Sequence, residues 1–586
     1  MPHYHLSFLN PLSGYLQIRT HIENIAGPEL NLQLPAWRPG RYELQNFAQK
    51  LQGFEVMAPD GSPLPFRKET KDRWRVETQA HQTLEVRYNF YARQMDAGGS
   101  WLASDFLYVN PVNCLLTPEG QEQDPCTLSL DLPEEWQIAC GLPLSGPHTL
   151  LAHNFDHLVD SPFIASATLQ QQVYQEQGIL FHVWFQGDCT PNWKQILPHF
   201  QAFTKEQLAL FGTFPVKDYH FLNIILPYQH YHGVEHLNST VITLGPSEQL
   251  MQPALYKELL GVSCHELFHT WNIKQIRPKE MLPYDFTREN YFRTGYVAEG
   301  VTTYYGDYLL ARSGVFTADQ YFQELNTLLK RHTVDQGEQN LSVADSSFDT
   351  WLDGYKPGIP DRKVSIYHKG CIAALVLDLE IRRATQNARS LDEVKRRMWL
   401  EFGKPGIGYT EADYQRLAEE EAGVSLEKYF QEMIFGTTAF DTWLAPALEY
   451  VGCLLEKEPA VLGYESLYGF RLNPTITAAS VVSYVAPNSP ASMVLSVDDE
   501  LIAINGRKLE NGNLVNLLKG HHEAELTLFR QKTLKTVKLK PDGKVYLPQY
   551  CVKKNPSATS EQQANFKAWL KQDFKNTTKE EKATKA

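Results

Sequence analysis

The stretch His265-Glu266-Leu267-Phe268-His269 stands inside a segment whose pattern reads as a helix. On a helix, residues four apart share one face, so both imidazoles can meet a single metal ion. Glu266 is rotated by roughly one hundred degrees from His265 and can lean over the same ion to take a proton from water. Two neutral histidines and a nearby carboxylate are what a zinc hydrolase requires. The expected helix carries the motif at its middle and is brought to an end by Pro278.

With 19 histidines in 586 residues, such a motif arises by accident in roughly a few per cent of chains, so context has to supply the rest. A catalytic zinc needs a third protein ligand and an open position for water. Downstream, Tyr296-Val297-Ala298-Glu299-Gly300-Val301-Thr302-Thr303-Tyr304-Tyr305 is apolar and helical in flavour. A carboxylate there is costly to bury unless it is paired or bound to a cation, which favours Glu299 as the third ligand. The competitor Glu289 is nearer in sequence, but lies in the polar run Thr287-Arg288-Glu289-Asn290, where a solvated carboxylate needs no explanation. Cys264 points about a hundred degrees from His265 and reads as core. Lys274 and Arg277 read as cations favoured by a helix end, outside the site.

Length suggests about four domains. The hydrophobic share of 43% and charged share of 21% are ordinary for a globular protein. A net charge of -13 argues against a nucleic-acid partner. No apolar run reaches the length that crosses a bilayer, so no membrane partner is expected. The segment Met1-Pro2-His3-Tyr4-His5 has neither the basic region nor the apolar core of a signal peptide. Eight scattered cysteines without a CxxC pair read as free thiols in a reducing compartment, and the expected location is cytoplasmic.

Residues 1–168 are β-rich. Leu84, Val86, Tyr88 and Phe90 alternate with Glu85, Arg87 and Asn89, the period of a half-buried strand, and an antiparallel sandwich-like domain is expected. Strands are expected at 179–185 and 221–226, with a helix behind Thr190-Pro191 in which the threonine is the cap. Helical patterns dominate from about 253 to 435, and short strands and turns return from about 455 to 545. Phe566, Trp569 and Leu570 suggest a short amphipathic helix docked on something. The last dozen residues, rich in Lys, Glu and Thr, are expected to be disordered.

Several motifs now occur in a recognisable order. Leu34-Pro35-Ala36-Trp37-Arg38-Pro39-Gly40-Arg41-Tyr42, the HExxH followed by Thr270-Trp271-Asn272, Glu299-Gly300-Val301-Thr302, and Tyr367-His368-Lys369-Gly370 make the chain resemble the glycyl aminopeptidase family. That family joins a gluzincin-type metallopeptidase to a PDZ domain and shares motifs with the aminopeptidase-N-type gluzincins. The resemblance implies a multidomain α+β fold: an N-terminal β-sandwich-like domain (1–168), a thermolysin-like catalytic domain (169–330), a helical domain (331–452), a PDZ domain (453–547) and a C-terminal tail with a short helix (548–586). It implies one Zn2+ per chain on His265, His269 and Glu299, Glu266 as general base, and Tyr367 as hydrogen-bond donor to the oxyanion. Gly233-Val234-Glu235-His236 resembles the substrate-edge motif, with Glu235 pairing to the free amino terminus of a peptide. Here His232 stands where a second glycine is usual, and His236 replaces the asparagine of the aminopeptidase-N version. Either histidine alone also reads as an ordinary surface residue. The family preference is for small first residues such as glycine or alanine.

Val485-Ala486-Pro487-Asn488-Ser489-Pro490-Ala491-Ser492-Met493 and Asp499-Glu500-Leu501-Ile502-Ala503-Ile504-Asn505-Gly506 resemble a PDZ domain of the protease-associated type. Tyr468-Gly469-Phe470 fits its carboxylate-binding loop, which makes a C-terminal peptide a second partner, and a packed structural lid the alternative. The leading expectation is a zinc aminopeptidase. Its alternatives are an endopeptidase with the same chemistry, and a PDZ-based binding protein with a degenerate peptidase part.

Overall fold

The computed structural model describes all residues except 1, 335, 357, 474–479, 511–512, 519–522 and 575–586. The Lys-, Glu- and Thr-rich end expected to be disordered falls outside the described residues.

The alternation at 84–90 forms the strand Leu84–Tyr91, whose Leu84, Val86, Tyr88 and Phe90 are all buried. It pairs antiparallel along its length with Tyr15–Ile22 in a seven-stranded sheet. A four-stranded sheet contains Glu29–Gln33, Phe66–Thr70 and Arg73–Glu77. Leu16, Ile18 and Phe90 from the first sheet share one apolar core with Leu32, Trp74 and Val76 from the second, which is how two sheets stack face to face. A further five-stranded sheet contributes Tyr108 and Ile164 to a cluster with Trp184, Leu222 and Val241 of the next region. The β-rich part is thereby fastened to the region that follows it by a shared core.

The sheet of this region comprises β1 (Gln170–Glu176), β2 (Ile179–Gln186), β3 (Asp218–Ile225), β4 (His230–Glu235) and β5 (Ser239–Gly245), in the order β1-β2-β3-β5-β4. The β2–β3 and β3–β5 pairs are parallel, and β4 runs antiparallel to β5 at the edge. Between β2 and β3 lies α1 (Trp193–Phe211); its cap position is held by Asn192 rather than the expected Thr190.

Next comes α2 (Pro253–His269), opened by a proline at its first position. The HExxH lies in its last turn, not at its middle, and the helix stops well before Pro278. The early end has a local cause in Asn272. Its side chain donates to the carbonyls of Val297 and Ala298 at 2.8 and 3.2 Å and to Thr302 at 2.9 Å, while its own oxygen accepts from Lys395 Nζ at 2.7 Å. Those bonds hold the chain in a turn that a continuing helix could not form.

Tyr296–Gly300 is a π-helical turn that leads into α3 (Val301–Arg312). After α4 (Ala318–His332) and a long connection comes α5 (His368–Ala384). Helices continue past the expected limit near 435, with Asp441–Tyr450 as the last of this region. The π turn and α5 meet at two glycines: a Cβ on Gly300 would lie 2.4 Å from the Cα of Gly370.

Beyond 453, a strand Cys453–Glu458 pairs with Gln549–Lys554 and brackets a six-stranded sheet that includes Phe470–Leu472, Ser480–Val485 and Ala524–Arg530. The predicted short helix is α6 (Ser560–Leu570), capped by a Thr559–Gln562 capping box. Its Phe566, Trp569 and Leu570 are fully buried in the same cluster as Phe268 and Tyr305. Tyr308 of α3 donates to the Trp569 carbonyl at 2.8 Å. Among the described residues, no helix is long and apolar enough to cross a membrane.

Because backbone stands opposite Gly300, there is no flexible side chain to yield. Gly300→Ala should lower stability by about 1–3 kcal/mol, the usual penalty of overpacking, read as a drop in the urea midpoint.

Candidate metal centre and active site

Two side-chain groups among the described residues converge closely enough to hold a metal: His265, His269 and Glu299, and Glu235, Glu266 and His269, with donor atoms within 4.8 Å of one another. Both contain His269, so they are two views of one pocket; Glu289 belongs to neither. The Nε2 atoms of His265 and His269 lie 3.0 Å apart, and His269 Nε2 is 3.4 Å from Glu299 Oε2. Two zinc–nitrogen bonds of about 2.0–2.1 Å at a tetrahedral angle put the nitrogens roughly 3.3 Å apart, so the donor set suits zinc. The carboxylates of Glu235, Glu266 and Glu299 are at most 5% exposed, and Glu235 Oε1 and Glu266 Oε2 lack any hydrogen-bond partner. Three such acids in one closed space call for a cation.

Local structure aims two of the three candidate ligands, His269 and Glu299. His269 Nδ1 stands 2.6 Å from the Asn272 carbonyl, which can only accept; Nδ1 therefore carries the proton and Nε2 faces the pocket. Glu299 projects from the π-helical turn, where the extra residue shifts the side chains relative to an α-helix. Its other oxygen, Oε1, accepts from the Tyr42 hydroxyl at 2.9 Å. Glu266 lies under β4, where a Cβ on Gly233 would fall 2.3 Å from its Oε1; only glycine leaves that carboxylate its place. Burial pushes the Glu266 carboxyl well up; His269 opposes this, and Glu235 and Glu299 add to it.

Glu235 ends β4 and its Oε2 is pressed by the first domain, since a Cβ on Gly40 would come 2.4 Å away and Gly40 already needs a φ of +77°. Tyr367 stands at the cap of α5. Burial raises its hydroxyl well above the ordinary value, with Glu299, Tyr355 and Glu235 adding to the shift, so it keeps its proton and can donate. Thus His265, Glu266, His269, Glu299 and Glu235 are brought around one space, with Tyr367 near enough for Glu299 and Glu235 to raise its hydroxyl.

His236 is buried, whereas His232 is half-buried. His232 Nδ1 accepts from the Ala97 amide at 3.2 Å, and burial, then Arg38, lowers its pKa to about 4, leaving it neutral. His236 is 4% exposed, with Nδ1 3.2 Å from Asp160. Asp160 is also where Lys274 goes, at 2.7 Å. Lys274 is therefore a buried ion-pair partner rather than a cation at a helix end, because α2 has stopped before it. Arg277 packs over the Tyr284 ring at 3.8 Å, and Cys264 is core, its carbonyl accepting from Gln207.

The remaining predicted site does not have the expected form. Tyr468 closes a short helix, Gly463–Tyr468, and the Gly469 amide caps that helix through the Glu465 carbonyl at 3.0 Å. Phe470 is fully buried. The Gly469 amide is thus engaged rather than open to a carboxylate.

Sequence reasoning gave no role to Gly40, Tyr42, Asp160 or Lys274. Gly40 and Tyr42 do lie in a dense Trp-Arg-Pro-Gly-Arg-Tyr string, but its target was not readable.

Burial would raise the Asp160 carboxyl, yet Lys274 and His236 outweigh it and hold it well below the usual range. Such a group adds stability above about pH 4 and loses it as pH falls. Lys274→Met, which strands a buried carboxylate, should cost about 3–5 kcal/mol at pH 7 by urea unfolding. The deficit should shrink as pH falls below about 4.

Two family models match the chain: the Peptidase M61 N-terminal domain over residues 3–167, and the M61 glycyl aminopeptidase over residues 258–373. The structure is similar to that of an aminopeptidase N family protein from Idiomarina loihiensis, with 26% identity and a TM-score of 0.87, covering 97% of this chain and all of that one. A more distant likeness is to an M1 zinc metallopeptidase from Deinococcus radiodurans crystallised with a Tyr-Ser-Ala substrate, at 14% identity and a TM-score of 0.47, covering 75% of this chain and 94% of that one. No curated protein matches. The matched regions contain both the first-domain loop at Trp37–Tyr42 and the HExxH helix, and together they support a metallopeptidase related to the M61 glycyl aminopeptidases.

Proposed function

We propose that the chain is a zinc aminopeptidase that removes small amino-terminal residues, glycine or alanine, from peptides. The observation that carries this reading is Glu235: a buried carboxylate with an unpartnered oxygen, at the end of an edge strand, converging with Glu266 and His269. An edge strand can pair with an extended peptide, and a buried carboxylate at its end suits the ammonium that only a chain terminus carries.

His265, His269 and Glu299 would hold one zinc ion, which when bound supplies Lewis-acid polarisation of water and of the scissile carbonyl. Glu266, its pKa raised by burial, takes the proton from the attacking water and returns it to the leaving amine. Tyr367 donates its retained proton in a hydrogen bond to the developing oxyanion. Glu235 fixes the amino terminus so that the first peptide bond lies over Glu266.

The C-terminal module reads as a PDZ fold acting as a packed lid. Arg471 of its edge strand reaches the carbonyls of Thr333 and Val334, and Tyr484 donates to Asp361 at 2.7 Å. The eight cysteines are unpaired, which suits a reducing compartment such as the cytoplasm.

The protein as isolated should contain one zinc per chain and cleave amino-terminal glycyl or alanyl chromogenic substrates. Stoichiometric zinc without turnover, or no zinc, would sink the enzyme reading. Glu266→Gln should lose at least about a thousandfold in kcat while retaining zinc. Acetylated peptides should be refractory; undiminished cleavage of them would make the enzyme an endopeptidase and remove Glu235 from its role.

A further inference from the structure

A loop of the first domain, residues 37–42, reaches the candidate metal pocket. Trp37 anchors that loop by donating from Nε1 to the Asp285 carbonyl at 2.7 Å. Its ring packs edge-on against Tyr284 and Trp351 at 5.5 and 5.0 Å. Five residues on, the Tyr42 amide donates to the Tyr355 hydroxyl at 3.1 Å, and the Tyr42 ring lies 5.1 Å from Phe292. Both ends of Tyr42 are thus held, and its side chain is 1% exposed. What this rigid mount presents to the pocket is one hydroxyl, 2.9 Å from Glu299 Oε1.

The two oxygens of Glu299 therefore face different partners. Oε2 looks to His269, and Oε1 is occupied by Tyr42. A phenol donating to one oxygen restrains the carboxylate's rotation and leaves only the other to bind a cation.

We propose that Tyr42 is a positioning residue contributed by the first domain, holding Glu299 as a one-oxygen ligand and so setting the affinity of the pocket for its metal. This rests on the zinc-peptidase reading above. It goes beyond that reading by making the β-rich domain part of the metal site rather than a neighbour of it. Partners of this kind, one bond beyond the ligands, typically change metal affinity by 10–100-fold when removed.

The test uses the full-length protein as Tyr42→Phe, which keeps the ring and its packing and deletes only the donor. Zinc affinity is measured by competition with a chromogenic chelator, and melting temperature is measured with and without zinc. The variant should bind zinc at least tenfold more weakly, and the melting-temperature gain on adding zinc should shrink accordingly, while the metal-free proteins melt together. Tyr355→Phe removes the acceptor of the Tyr42 amide but not the hydroxyl at Glu299, and should hold zinc within about twofold of the parent. Parental zinc affinity in Tyr42→Phe would overturn the proposal with the peptidase reading intact. So would equal loss in both variants, or loss that merely follows a lower metal-free melting temperature, since either would mark a packing effect. A parent protein that binds no zinc would overturn the proposal together with the reading it rests on.

Discussion

Three buried acids crowded against two imidazoles are the constraint to which the rest of the architecture answers. Glu235, Glu266 and Glu299 come from an edge strand, a helix end and a π turn, and of the three only Glu266 has an opposing group, His269, on its own segment. Left to themselves they would repel one another and seek water. What keeps them together is tight backbone placement: Gly233 over Glu266, Gly40 against Glu235, and Gly300 against Gly370, which sets the π turn beside the helix bearing Tyr367. The pocket is thus a set of charges held in place by close contacts between main chains, with a cation as the natural occupant.

Much of this could be read before any coordinates. HExxH is legible because a helix puts residues four apart on one face, and Glu299 because a lone acid in an apolar run needs a reason. The β-rich start, with its strict alternation at 84–90, and the buried α6, with its apolar stripe, follow from periodicity alone. The early end of α2 was not legible. It depends on Asn272 reaching Val297, Ala298 and Thr302, contacts that no local pattern encodes. The same holds for Lys274: as a cation near a presumed helix end it looked ordinary, and only its position beside Asp160 makes it a buried partner. Tyr42 is the clearest case, since its target is 257 residues away along the chain.

The C-terminal module illustrates how a sequence likeness can place strands and still misjudge a loop. Its turn at Asn505-Gly506 follows an apolar strand as the pattern suggested. Gly469, by contrast, takes its positive φ to end a short helix, and that use engages the amide that a ligand-binding loop would leave free. The module is instead tied to the helical region through Arg471 and Tyr484, which bond Thr333 and Asp361, each next to a residue of the cavity that Tyr367 also lines.

The docking of α6 on α3 has a consequence for how the molecule is made. Phe566, Trp569 and Leu570 complete the apolar cluster that also contains Phe268, between the two histidines of the HExxH motif on α2. A chain emerging from the ribosome folds largely in order of synthesis. The helix bearing both histidines therefore exists for some three hundred residues of elongation with its supporting core unfinished, until α6 is made. Firm packing of the helix that carries both histidines is in this sense a signal that synthesis has passed α6.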